Sequence, residues 1–254
     1  MITIGIACYN NLEYTKKCIE SIKKYTKEPY QLLVVDDAST DGTFEYLNTL
    51  DCTIIKHDNN LGWVIACNDI IGNTDTEFLV LMNNDVEVTE GWLTAMLKTM
   101  NKRKDIGIVG CKHIDPKSGF MIHAGGYIDY IHPKCRGYMK NNSVFYNIEL
   151  ECQLISFACV LFRTEVFKTG MRFDTSYLSP GGYDDADMSI QVRELGYKLY
   201  YCPNSVIYHH GFVTRGKDHD MMTICDVINL SYFLSKWKEK IVHDTDLMEN
   251  VDYE

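Results

Sequence analysis

Short apolar runs and helix-spaced apolar positions alternate along roughly the first 110 residues of this chain. Residues 2–8 form a compact apolar run with β-branched side chains, and residues 32–35, 53–55, 78–82 and 106–111 repeat that signal. Between the first two runs, Leu12, Thr15, Ile19 and Ile22 recur at the spacing of one helical face, with Asn10 or Asn11 available as a cap. Residues 63–71 and 92–100 read as further helices, and Phe44, Leu47 and Leu50 as a short one after the Asp41-Gly42 turn. Strands this apolar, with helices between them, predict an α/β fold: a mostly parallel sheet with helices on both faces.

The periodicity fades over residues 112–152, a stretch rich in Gly, Tyr, His and Asn. Hairpins and loops shaping a substrate cleft are expected there. Residues 153–162 predict another strand, and 185–195 a helix ending at Gly196. Residues 198–201 and 205–208 read as two short strands around Pro203, and 222–240 as a last amphipathic helix. The acidic tail, residues 243–254, is expected to fray. With no internal repeat and no low-complexity linker, residues 1–242 read as one domain with two lobes.

Composition narrows the partners. The chain has 254 residues, 46% of them hydrophobic, and a formal net charge of −10. So acidic a chain is a poor general binder of phosphate backbones, and nucleic acid is not expected. The basic stretch Lys98, Lys102, Arg103, Lys104 reads as a solvated helix end. No two of the ten cysteines are spaced as C-x-x-C, which argues against a zinc ribbon and for reduced, structural thiols. The chain opens directly on a strand-like run, and no apolar stretch approaches the ~20 residues of a membrane helix. These features predict a cytoplasmic protein, with peripheral membrane contact still open.

In open parallel sheets, ligands sit beyond the carboxyl ends of the strands. Three of those ends carry polar clusters: Tyr9-Asn10-Asn11, Asp36-Asp37 and Asn83-Asn84-Asp85. Asp36 could accept a hydrogen bond from a nucleobase N–H or a ribose hydroxyl; an ordinary turn, with Asp41 capping a helix, is the competing reading. Asp85 could hold a hard divalent cation that bridges two phosphates, or serve only its turn. Tyr183-Asp184-Asp185-Ala186-Asp187 opens a helix, where the dipole favours acidic residues in any case. Gly181-Gly182 just before it could admit a substrate closely. His209, followed by His210, could return to the carboxylates, and imidazole plus carboxylate suits Mn²⁺ and similar ions.

Taken in order, these stretches resemble the family-2 glycosyltransferases with the GT-A fold. The residues are Ile6 to Asn10; Val34 to Thr43; Asn60-Leu61-Gly62-Trp63 with Asn68; Leu81 to Asp85; Phe173-Asp174; and Tyr183 to Asp187 through Gly196-Tyr197, Pro203 and His209. The match covers residues 2–215, and the Asp-Asp-Ala-Asp helix looks most like the rhamnosyl- and galactofuranosyltransferase-type members. The resemblance implies a donor-binding half, residues 1–111, and an acceptor and catalytic half, residues 112–242. Ala7, Tyr9, Asn10, Asp36, Asn60, Asn68 and Asn84 would line the site of a nucleoside diphosphate sugar, with UDP- or dTDP-sugars favoured. Asp85 and His209 would hold Mn²⁺ or Mg²⁺. Asp185 would be the base that activates a saccharide or glycoconjugate hydroxyl in an inverting transfer, with Tyr183, Asp184 and Asp187 on the acceptor side. Tyr127 and Tyr138 would join Tyr183 there.

Three departures stand out: Asn83 and Asp184 replace a common Asp and Glu, and Gln191 stands where Arg is common. A sugar-nucleotide-binding protein without turnover is the alternative that Asn83 and Gln191 would suit. A nucleotidyltransferase would need a Gly-rich basic loop after the first strand, and Cys8 to Glu13 offers neither glycine nor base.

Overall fold

The computed structural model describes residues 1–130, 132–211 and 219–242. The acidic tail expected from residue 243, and the last four residues of the resemblance (212–215), lie outside them. The strands are β1 (Ile2–Cys8), β2 (Tyr30–Asp36), β3 (Thr53–Lys56), β4 (Phe78–Asn83), β5 (Val86–Val88), β6 (Ile106–Ile114), β7 (Met121–His123), β8 (Gly126–Asp129), β9 (His132–Cys135), β10 (Leu150–Cys152), β11 (Cys159–Arg163) and β12 (Lys198–His209). The helices are α1 (Leu12–Tyr25), α2 (Thr43–Leu47), α3 (Trp63–Gly72), α4 (Trp92–Met100), α5 (Asp184–Glu194) and α6 (His219–Trp237).

One sheet carries the molecule, in the order β10-β12-β6-β11-β4-β1-β2-β3, with β5 added to β12 and β7 to β6. Pairings among β1, β2, β3 and β4 are parallel, as is β6 with β12; β11 runs antiparallel between β4 and β6. Both faces are covered, as the near-continuous apolar runs predict. On one face α1 and α4 bury Cys18, Ile19, Ile22, Trp92, Leu93, Met96 and Met100. On the other, α3, α5 and α6 bury Val64, Ile70, Met188, Val192, Phe233 and Trp237. Because β2 and β4 flank β1 on opposite sides, the chain changes direction across the sheet at β1, which places the crevice over the ends of β1, β2 and β4.

Three elements differ from the sequence reading. The strand expected over 153–162 begins only at Cys159. Ile155 and Phe157 are buried, but by packing in the core beneath α5, where the Ser189 hydroxyl meets the Ile155 N–H at 3.3 Å. The two short strands around Pro203 are one strand, β12, whose register shifts between Cys202 and Val206; a bulge is where a strand tolerates proline. The third, β5, is too short to signal itself and is held by pairing with residues 207–209. The basic stretch at the end of α4 is a solvated helix end as expected, with Lys102 on Glu149 and Arg103 on Asp105.

Candidate active site

The loops after β1, β2 and β3 are tied to one another before any ligand is considered. Asn10 and Asn11, both with positive φ, turn the chain out of β1. The Asn10 side-chain oxygen accepts the Thr40 N–H at 2.8 Å, and the Ser39 hydroxyl accepts the Asn10 N–H at 2.8 Å. Neither Asn10 nor Asn11 caps α1 by its side chain. Asp41 does, accepting the Leu12 N–H at 2.9 Å with one oxygen and the Thr43 hydroxyl at 2.6 Å with the other. The structure thus gives Asp41 the cap role in an unforeseen direction, across to α1. Burial pushes its carboxyl up, but the Thr43 and Leu12 hydrogen bonds prevail and hold it below its ordinary value.

Asp36 ends β2 fully buried. One oxygen accepts the Ser39 N–H at 3.3 Å; the other has no hydrogen-bond partner among the described residues. An acceptor left so is costly unless a ligand or water completes it. Ala7 and Tyr9 sit half-buried at the end of β1 beside it, and Asn60 lies exposed in the loop before α3.

Two predicted donor-site asparagines are spent on the scaffold. Asn68 bonds the backbone of Phe173 with both ends of its amide, at 2.9 and 2.8 Å. The Asn84 amide nitrogen donates to Asn10 O and to the Thr15 hydroxyl. Their side chains tie the crevice walls together.

Asp37, which the sequence reading left without a role, is a clamp. It accepts the Leu61 and Gly62 N–H groups, each at 2.8 Å, and His57 Nδ1 at 2.7 Å; His57 Nε2 reaches Asp69 at 2.9 Å. Gly62 takes a φ of 89° here, and a Cβ would press on Ser179 at 2.9 Å. Burial lowers the His57 pKa, but the two carboxylates outweigh it and raise the value overall.

Asp85 fills the turn between β4 and β5. Since β5 pairs with β12 so that Val86 faces His209, the carboxylate and the imidazole meet: Asp85 Oδ1 lies 3.3 Å from His209 Nε2. Asp85 Oδ1 is buried and has no hydrogen-bond partner among the described residues. His210 turns away and bonds Glu87 at 2.7 Å. Behind His209 lies His113, with ring centroids 5.9 Å apart, and behind that His123, 4.8 Å further. Burial first, then the neighbouring imidazoles, pushes His113 well below the usual range and His123 down to about 3. Among the described residues no three acidic, imidazole or thiol side chains converge closely enough to hold an ion unaided. A carboxylate oxygen left open beside a ring nitrogen fits a divalent cation completed by ligand oxygens.

Asp185 lies half-buried in the first turn of α5, its Oδ1 on the Ala186 N–H at 2.7 Å. It lines a cleft of about 200 Å³ with Tyr183, His123, Ser156, Lys134 and Cys135. Gly181 before it serves a packing need: a Cβ there would collide with Asn229 of α6. Tyr183, at φ 77°, packs its ring on Phe233 of α6. Such a conformation costs a non-glycine residue roughly 1–3 kcal/mol, and here the α6 contact holds it.

Asp187 corrects the expectation of an acceptor-side group. It is 1% exposed, one oxygen meeting Trp237 Nε1 (2.6 Å), Lys236 Nζ (2.8 Å) and the Tyr177 hydroxyl (3.1 Å), the other taking Gln191 Nε2 at 2.5 Å. The residue points inward because its place on α5 faces α6, not the cleft. Asp184 stays half-buried at the start of α5. Of the expected acceptor-side tyrosines, Tyr127 lies on the β8–β9 hairpin and Tyr138 is exposed beyond it.

Comparison with known proteins agrees with this frame. Residues 3–170 match the family described as Glycosyl transferase family 2, and the chain belongs to that family. Glycosyltransferase GlyA of Streptococcus pneumoniae is 24% identical over 220 residues, covering 82% of this chain and 29% of GlyA. O-antigen biosynthesis protein RfbC of Myxococcus xanthus is 25% identical over 230 residues, covering 85% of this chain and 18% of RfbC. The chain therefore spans less than a third of these relatives. In structure, GalNAc-T7 crystallised with UDP, GalNAc and Mn²⁺ superposes with a TM-score of 0.74 at 14% identity, over 94% of this chain and 48% of that one. Mannosyltransferase PcManGT of Pyrobaculum calidifontis, crystallised with GDP-Man and Mn²⁺, gives 0.68 at 17% identity, over 96% and 65%. The fold is GT-A. No helix among the described residues is long and apolar enough to cross a membrane.

Proposed function

We propose that this chain catalyses an inverting transfer from a nucleoside diphosphate sugar to a hydroxyl of a saccharide or glycoconjugate. The observation that carries the reading is the open, buried Asp85 oxygen at 3.3 Å from His209 Nε2, at the end of the strand beside β1. Asp85 and His209 would hold Mn²⁺ or Mg²⁺, which when bound draws charge from a departing diphosphate. Asp36, with its second oxygen unpartnered, would accept a hydrogen bond from the donor's base or ribose; UDP and dTDP are the favoured nucleotides. In the cleft, Asp185 takes the proton of the acceptor hydroxyl. That oxygen bonds the anomeric carbon from the face opposite the diphosphate, and the old carbon–oxygen bond breaks with its electron pair leaving on the diphosphate. A well-placed base contributes ~10²–10⁴-fold.

Calorimetry with UDP, dTDP and GDP, with Mn²⁺ and then with EDTA, tests the reading. Binding should need the metal and should vanish in Asp85→Ala. Equal affinity in EDTA would remove the metal from the proposal.

A further inference from the structure

The fold places three imidazoles in a row across three strands. His113 on β6 is directly opposite His123 on antiparallel β7, and it is level with Ile207 of β12, two positions before His209. His209 and Ile207 share a side of β12, so His113 and His209 meet edge to face, with an interplanar angle of 82°. His123 closes the row and has Nε2 held by the Ser156 N–H at 3.4 Å. Neither ring nitrogen of His113 makes a hydrogen bond of ordinary geometry among the described residues, its one polar neighbour being the Cys159 backbone, and Nδ1 of His123 has no partner among them. Both rings are buried, in surroundings where an apolar side chain of similar volume would spare the desolvation cost.

We propose that His113 and His123 are positioning residues for His209: the row holds the His209 ring at the angle at which Nε2 faces Asp85. This rests on the reading of Asp85 and His209 as the cation's ligands. His123 sits behind His113 and also lines the Asp185 cleft, so the row runs from the cation site to the acceptor side. Mutating groups behind a metal ligand typically changes metal affinity by roughly 10–100-fold.

Mn²⁺ binding in the presence of UDP, followed by loss of the free Mn²⁺ electron paramagnetic resonance signal, tests this without turnover. His113→Leu should weaken Mn²⁺ at least ~10-fold, while its melting temperature stays level or rises, because an unpaired polar group is gone. His123→Leu should weaken Mn²⁺ less, since it reaches His209 only through His113. A merely structural role predicts the reverse: unchanged Mn²⁺ affinity, and that result in His113→Leu overturns the proposal. If His113→Leu does not fold, His123→Leu decides, with unchanged affinity overturning the proposal and a loss supporting it. Asp85→Ala is the control for the underlying reading: if it leaves Mn²⁺ binding of the wild type intact, the cation site itself is misplaced.

Discussion

Asp185 and Asp187 are two residues apart on one helix and have opposite fates. Asp185 opens on the cleft in the first turn of α5. Asp187 is saturated by Trp237, Lys236, Tyr177 and Gln191. Asp185→Asn keeps the shape and removes the proton acceptor. Transfer should fall by roughly 10²-fold or more, with donor binding within a few-fold. Steady-state transfer and nucleotide titration on the same variant check it; near-normal turnover would move the base elsewhere. Asp187→Ala should instead act on stability. Removing one partner of a buried pair costs about 3 kcal/mol here, the low end of the usual range because Lys236 keeps some solvent. Urea unfolding measures it, and a loss of a few tenths would show that the contacts to α6 carry little.

At the scale of elements, α6 braces residues 174–187. Asn229 bonds the Leu178 and Gly182 backbone, Asp226 takes the Gly182 N–H at 2.7 Å, and Tyr232 and Lys236 bind Asp174. Burial raises the Asp174 pKa, but Lys236 and the Ser176 and Tyr232 hydrogen bonds draw it far below its ordinary value. With the folded value depressed, this stability is present above the unfolded value of about 3.9 and is lost as pH falls through the folded one. The loop before α3 is fixed by the opposite kind of group. His57, bridging Asp37 and Asp69, has a raised folded value, so its contribution is full below the unfolded value of about 6.5 and fades as pH rises through the folded one. The stability gap between wild type and His57→Asn should therefore be widest near pH 6 and narrow above it, over about pH 5–9. Denaturation at a series of pH values measures the gap, and a gap constant across the range would mean that the ring bridges the carboxylates uncharged.

For the whole molecule, the decisive feature is that one sheet runs through both halves. β11, from residues 112–242, is wedged between β4 and β6 of residues 1–111, and β12 covers the other side of β6. Residues 1–111 alone would leave β4 and β6 with exposed edges and lose the core beneath α5 and α6. A fragment of residues 1–111 should show no cooperative melt and no UDP binding, whereas residues 1–242 should show both; a sharp melt of the fragment would make the donor half autonomous.

The alternation of apolar runs and helix-spaced residues determined the elements of residues 1–111 other than β5, and the class of fold, because burial on both faces demands that pattern in each strand. Local motifs also pointed to the acidic and imidazole residues at the strand ends. What each of them touches was decided only by tertiary contact. Asn68 and Asn84 look like ligand groups in sequence and are hydrogen-bonded to partners far along the chain, the Phe173 backbone for one and the Asn10 backbone and Thr15 hydroxyl for the other. Asp37, Asp187 and α6 carried no local sign of their roles, since hydrogen bonds across 25 to 50 positions leave no spacing to read. The row of His113, His123 and His209 is likewise a matter of strand register, and register follows from which strands pair, a property of the whole sheet.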